Sequence, residues 1–161
     1  MPQFNLTDTE RQQLKELIED QVIAISDQKQ SYFYWSKEPH PVAMKYKSLL
    51  EDLIGSEAKV IYIIQPAHST LYPHIDKEDE DEHMRVTVFS FPITLPNESP
   101  TLWYDNKVDL NIVDETYYGD GDTYLLNTKH LHGVVNDTDN KRSFLQITFN
   151  EKYDTVLQKV A

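Results

Sequence analysis

The stretch Leu71-Tyr72-Pro73-His74-Ile75-Asp76 decides how the chain is read. It sets an imidazole and a carboxylate two residues apart in an extended segment. In a strand, side chains at i and i+2 leave the same face. His74 and Asp76 can therefore aim at one point, as two ligands of a metal ion must. Such a pair is common by chance, so its meaning depends on what the rest of the chain supplies.

Working outward, residues 59–65 are a β-branched run and predict a strand, turned at Pro66-Ala67. Residues 70–76 are extended again. The acidic run from Lys77 to Glu82 is too charged for a strand and reads as a solvated lid over the site. Further strands are predicted over 85–93, 102–104, 108–113, 123–126, 132–136 and 142–149. Turns fall at Asp105-Asn106, 117–122 and Asp137-Thr138-Asp139-Asn140. Upstream the texture is helical. Thr7 or Asp8 can cap a helix over about 8–24, with Leu14, Leu17, Ile18 and Val22 on its apolar face. His40-Pro41 opens a second helix, and Gly55 stops it. The aromatic patch 32–35 between them reads as a short strand or a pocket wall. Two helices followed by short, turn-separated strands predict a mainly β fold. The expected architecture is a double-stranded β-helix (jelly roll) with two N-terminal helices packed on the outside. One domain is expected over 1–161, helical to about 57 and jelly roll over about 58–150.

Composition narrows the function. The chain has 161 residues, 39% hydrophobic and 26% charged, an ordinary globular mix. A net charge of −12 repels phosphates and anionic lipid, so nucleic acid and membrane are not expected partners. With no cysteine, thiolate metal sites, disulfides and cysteine nucleophiles are excluded. Residues 1–6 lack a basic-then-apolar leader pattern, and no apolar run reaches spanning length, so a cytoplasmic location is expected.

A third ligand for His74 and Asp76 must come from elsewhere. His68, His83, His130 and His132 are available. His132 opens the extended segment 132–136 and is the first candidate; His130, two residues earlier, is the alternative. Two histidines and one carboxylate form a facial triad that leaves three positions open on iron(II). Arg142 follows His132 by ten residues. With a turn at 137–140, segments 132–136 and 142–149 are expected to pair as a hairpin, setting Arg142 beside His132. A guanidinium there can grip a carboxylate in a fork.

These motifs, in this order, resemble the iron(II)- and 2-oxoglutarate-dependent dioxygenases over about 59–149. The matching segments are Tyr62…Pro66-Ala67…Leu71-Tyr72-Pro73-His74-Ile75-Asp76 and Gly121-Asp122-Thr123-Tyr124-Leu125-Leu126-Asn127…His132-Gly133-Val134-Val135-Asn136…Arg142. They are similar to small prolyl- and aspartyl/asparaginyl-hydroxylase-like members, including forms common in phage genomes. The resemblance implies iron(II) on His74, Asp76 and His132, and 2-oxoglutarate chelating that iron with its far carboxylate on Arg142. Tyr62, Tyr72 or Thr148 is then the expected second partner of that carboxylate. The implied reaction is hydroxylation of a C–H bond in an amino acid, peptide side chain or other small substrate. Arg85, Trp103, Tyr104 and Asn136 are candidates to bind that substrate. The alternatives are a cupin-like metal-dependent enzyme, which would not need Arg142, and a non-catalytic ligand-binding jelly roll that keeps the fold without turnover.

Overall fold

The computed structural model describes residues 1–25, 33–35, 40–76, 86–95, 97–119 and 121–161, with the backbone alone at 19–25 and 33–35. Arg85, His83 and the acidic run 77–82 lie outside the described residues, as do the side chains of Phe33, Tyr34 and Trp35.

After a short 3-10 turn at Pro2–Phe4 come helix α1 (Asp8–Ile25), strand β1 (Phe33–Trp35) and helix α2 (Pro41–Ile54). Eight strands follow: β2 (Ala58–Gln65), β3 (Ser69–His74), β4 (Thr87–Pro92), β5 (Thr101–Tyr104), β6 (Ile112–Thr116), β7 (Tyr124–Leu126), β8 (His132–Asn136) and β9 (Arg142–Phe149). Helix α3 (Tyr153–Val160) closes the chain; sequence reasoning missed it.

The helix ends have local causes. Thr7 and Glu10 form a reciprocal capping box: the Glu10 N–H donates to Thr7 Oγ1 at 3.1 Å, and the Thr7 N–H donates to Glu10 Oε1 at 3.0 Å. His40 Nδ1 accepts the Val42 N–H at 3.1 Å, ahead of Pro41 in the first turn of α2. Gly55 ends α2 in the left-handed region, at φ 80°.

Two antiparallel sheets stack as a jelly roll. One has the order β1-β2-β9-β4-β7 and the other β3-β8-β5-β6. The alternation of the larger sheet sorts its side chains. Tyr62, Ile64, Phe89, Phe91, Leu145 and Ile147 face the helices, burying Leu14, Ile18, Leu50, Ile54 and Val156 against them. Ile61, Ile63 and Phe144 face inward, with Tyr118. Among the described residues, no helix is long and apolar enough to cross a membrane.

Two sequence expectations are corrected. The hairpin between 132–136 and 142–149 does not form. Strand β8 is paired by β3 and β5, and β9 by β2 and β4, so both edges of each are taken. The turn between them carries the chain from one sheet to the other, and β8 and β9 lie in opposite layers. The strand expected over 108–113 starts late, at Ile112. Asn106 Oδ1 accepts the N–H groups of Val108 and Asp109, and Asp105 Oδ1 accepts those of Asn106 and Asn111. These side chains take the place of strand partners and hold a turn.

Glu10 also ties α1 to α2. Its carboxylate accepts the Tyr46 hydroxyl at 2.7 Å and Lys45 Nζ at 2.8 Å. Desolvation pushes its pKa up, but Lys45 and the hydrogen bonds from Thr7 and Tyr46 outweigh it and bring the value from 4.5 to about 2. A carboxyl whose pKa is depressed by folding stabilises the fold above its unfolded value and loses that contribution as pH falls toward the folded one. Glu10→Gln is therefore expected to lower the unfolding temperature at pH 7. In parallel thermal melts, its difference from wild type should shrink between about pH 5 and pH 2.

Candidate metal centre

Strand β3 is not regular where it carries the opening motif. Leu71 pairs with Val134 and His74 with His132, so Tyr72 and Pro73 together oppose the single residue Gly133. This is a β-bulge. Without it, residues three apart would leave opposite faces; with it, Leu71 and His74 both line the cavity between the sheets. Gly133 makes room for the bulge. A Cβ there would lie 2.8 Å from the Leu71 carbonyl oxygen and 3.2 Å from Pro73 N, both backbone atoms that cannot swing aside. Gly133→Ala is expected to cost about 1–3 kcal/mol, the usual range for overpacking. That corresponds to a fall of roughly 2–12 °C in unfolding temperature for a domain of this size. Because the strain falls between His74 and His132, manganese(II) affinity by calorimetry should fall about 10–100-fold as well.

His74, Asp76 and His132 converge at the end of this bulge. Each offers one ligand atom, and the three atoms all lie within 4.8 Å of one another. Asp76 Oδ1 is 3.2 Å from His74 Nε2 and 3.5 Å from His132 Nε2. Two ligands at right angles and about 2.1 Å from a metal are about 3.0 Å apart, so these edges suit one octahedral face.

The tautomers agree with this use. His74 Nδ1 is 2.8 Å from the Tyr72 carbonyl, and His132 Nδ1 is 2.7 Å from the His130 carbonyl. A carbonyl only accepts, so each Nδ1 must carry its proton. That leaves Nε2 of each ring as the atom facing the centre. Two imidazole nitrogens and a carboxylate oxygen are a donor set that a divalent cation can take. Asp76 is held from behind, its N–H donating to the Thr128 carbonyl at 3.1 Å. Its side chain and that of His132 are each 10% exposed, and that of His74 is 35% exposed, so the His74 ring is the most open of the three.

Arg142 lines the same cavity from the opposite sheet. Although 6% exposed, it is well held. Its Nε donates to the Ser99 carbonyl at 3.1 Å and its Nη2 to Thr101 Oγ1 at 3.1 Å. The guanidinium lies 4.3 Å from the Phe144 ring centre and 5.4 Å from that of Tyr118. Thr101 Oγ1 and the Tyr118 hydroxyl are 2.8 Å apart. Burial raises the Tyr118 pKa, against the opposing charge of Arg142, so the phenol stays protonated. Ser90 and Gln146, joined at 3.2 Å, and Thr128 complete the polar lining.

Other expected site residues fall elsewhere. Tyr62 is fully buried in the helix-facing core, on the far side of the sheet from Arg142. Tyr72 is 76% exposed and serves the site through its carbonyl. Neither side chain can join Arg142 in holding a carboxylate. Asn136 is buried and occupied: its Nδ2 donates to the Pro66 and Asn140 carbonyls, and its Oδ1 accepts from Ser99 and Thr138. It fastens the turn between β8 and β9 and steadies Ser99, which in turn holds Arg142. Thr148 is buried but is not among the residues lining the cavity. Trp103 packs its ring 5.3 Å from that of His132, and its Nε1 donates to Thr116 at 2.9 Å. Tyr104 is half-exposed and tied through its backbone to Leu131. His130 is exposed and contributes its carbonyl, while His68 pairs with Asp139 at the surface.

Sequence reasoning missed Tyr118, Thr101, Ser90, Ser99 and Gln146. Ser90 and Gln146 did leave a signal, since each is a polar residue inside an otherwise apolar strand. Tyr118 left none, because it stands in what reads as a turn.

No protein-family sequence model matches the chain, and no curated protein matches it in sequence. Its fold has clear counterparts among solved structures. A prolyl-4-hydroxylase from Pseudomonas putida superposes with a TM-score of 0.60 at 10% identity, over 91% of this chain and 89% of that one. The viral collagen prolyl hydroxylase of Paramecium bursaria Chlorella virus-1, solved with 2-oxoglutarate, gives 0.57 at 14%, over 89% of each chain. HygX from Streptomyces hygroscopicus, solved with nickel and 2-oxoglutarate, gives 0.56 at 11%, over 88% of this chain and 78% of that one. At these identities the likeness establishes a shared jelly-roll fold.

Proposed function

We propose that this chain is an iron(II)- and 2-oxoglutarate-dependent oxygenase that hydroxylates a C–H bond of an amino acid, a peptide side chain or another small substrate. One observation carries the reading. A His-Asp-His face and a buried, braced arginine from the opposite sheet line a single cavity. A cupin-like enzyme using only a metal gives no reason to bury that arginine there. The fold shared with 2-oxoglutarate-binding structures supports the same assignment.

With iron(II) and 2-oxoglutarate bound, the pair would supply dioxygen-driven decarboxylation of the co-substrate to succinate and carbon dioxide, coupled to two-electron oxidation of a substrate C–H bond. His74, Asp76 and His132 would hold the metal. Arg142 would fix the far carboxylate of 2-oxoglutarate by charge and hydrogen bond. Tyr118 takes the role expected of Tyr62, Tyr72 or Thr148: its retained proton can be donated to that carboxylate. The apolar walls, Ile63, Leu71, Leu126, Val134 and Phe144, exclude water from the reaction.

The test is direct. Anaerobically purified protein is supplied with iron(II), 2-oxoglutarate and oxygen, and succinate is measured; binding of 2-oxoglutarate to the manganese(II) form is measured in parallel by calorimetry. Succinate above the metal-free control supports the proposal. A manganese-loaded protein that does not bind 2-oxoglutarate sinks it.

A further inference from the structure

An open cleft of about 640 Å³ lies beside the metal centre. Its size falls within the usual range for small-ligand sites. It is bounded by β6, β7 and the start of α3, and it adjoins the cavity of the triad. Leu126 lines both. Trp103, whose ring packs against that of His132, forms part of its wall, and so does His130, whose carbonyl orients His132. A molecule in the cleft therefore lies against Trp103, one ring away from His132.

The cleft's chemistry is one-sided. Asp114 from β6 and Asp154 from α3 line it, and both are exposed. Among the described residues, neither is in an ion pair, and no lysine or arginine lines the cleft. Three aromatic rings, Trp103, Tyr124 and Tyr153, line it as well. Carboxylates with aromatic faces are the combination that recognises an organic cation: the charge pairs with the acids and its C–H or N–H edges pack on the rings. An anionic substrate would meet two carboxylates on a protein of net charge −12, which steers anions away.

We propose that this cleft is the substrate site and that its substrate is a net cation, carrying an ammonium or guanidinium group beyond any α-ammonium that its own carboxylate balances. This deepens the oxygenase reading and rests on it. The cationic head would lie between Asp114 and Asp154, with the chain that bears the reacting C–H bond directed past Trp103 and Leu126 toward the metal.

The experiment uses the manganese(II)- and 2-oxoglutarate-loaded protein, with L-arginine, L-lysine and spermidine as cationic probes. L-Citrulline, Nε-acetyl-L-lysine and L-glutamate serve as neutral or acidic counterparts. Calorimetry reads binding, and succinate release from the iron(II) form reads coupled turnover. At least one cation should bind about tenfold or more tightly than its neutral counterpart and raise succinate release. The Asp114→Asn/Asp154→Asn double variant should lose that preference while unfolding at the wild-type temperature. Equal binding of neutral and cationic probes overturns the proposal. So does a double variant that keeps the preference, or no cation binding at all. If 2-oxoglutarate itself fails to bind, the oxygenase reading falls, whereas failure of the cations on a protein that binds 2-oxoglutarate removes only the cleft assignment.

Discussion

Replacing Asp76 by asparagine is expected to lower divalent-metal affinity by on the order of 100-fold or more, and to do so without unfolding the protein. Residues that merely orient metal ligands are worth about 10–100-fold in affinity, so a direct ligand should cost at least as much. Asp76 is also the one anion of the triad, and its loss leaves two neutral imidazoles facing a dication. The fold should tolerate the change. In the metal-free state Asp76 Oδ1 stands 3.2 Å and 3.5 Å from two Nε2 atoms, and an amide in its place can donate to one of them. Its backbone anchor on Thr128 is untouched. Thermal melts with and without manganese(II) separate the two effects. At a metal concentration 100 times the wild-type dissociation constant, binding stabilises the wild type by about 2.7 kcal/mol. This is a rise of roughly 5–11 °C. A variant weakened 100-fold keeps about 0.4 kcal/mol of that, close to no shift. A variant that retains the wild-type shift would remove Asp76 from the metal site. A variant that is unfolded without metal would show that the carboxylate is structural.

What the sequence reveals of this site, and what it hides, follows from how far each feature depends on partners distant in the chain. His74, Asp76, His132 and Arg142 are legible because chemistry restricts the residue types and because they stand at or beside strand ends, His74 at the close of β3 with Asp76 just after it, and His132 and Arg142 at the starts of β8 and β9. The strands themselves are legible from β-branched runs. Register and sheet membership are not. Tyr62 stands in a strand where every residue from Val60 to Gln65 is buried, so the apolar pattern cannot say which face meets the helices. The cavity side is set by pairing with β9. The bulge opposite Gly133 is hidden for a related reason. It changes which residues of β3 face inward, and its only trace in sequence is a glycine whose role appears once Leu71 and Pro73 lie across from it. The partition of β8 and β9 between sheets is likewise invisible, since a short polar turn joins hairpins and sheet-crossing strands alike. Yet that partition makes the site. His74, Asp76 and His132 on one side and Arg142 on the opposite sheet leave a cavity between them, which a hairpin would have closed.

Arg142 supplies the second large expected effect, and two substitutions are needed to interpret it. Arg142→Ala should weaken 2-oxoglutarate binding to the manganese(II) protein by roughly 10–200-fold, the 1.5–3 kcal/mol that a charge-assisted hydrogen bond contributes in a buried site. Manganese(II) affinity should stay near the wild-type value, because Arg142 lies in the sheet opposite His74, Asp76 and His132. The alanine variant also leaves the Ser99 carbonyl without its donor and opens space beside Phe144 and Tyr118, so some loss of stability accompanies it. Arg142→Lys separates charge from shape. The ammonium keeps the positive charge but cannot hold Ser99 and Thr101 from a planar fork while still facing a ligand. Its affinity for 2-oxoglutarate should therefore fall between wild type and alanine. If binding depended only on charge, lysine would match arginine. If Arg142 served only to brace Ser99 and Thr101, both variants would melt early and bind 2-oxoglutarate normally once cooled below their transitions. Retention of full 2-oxoglutarate affinity by the alanine variant is the one result that breaks the link between this arginine and the co-substrate.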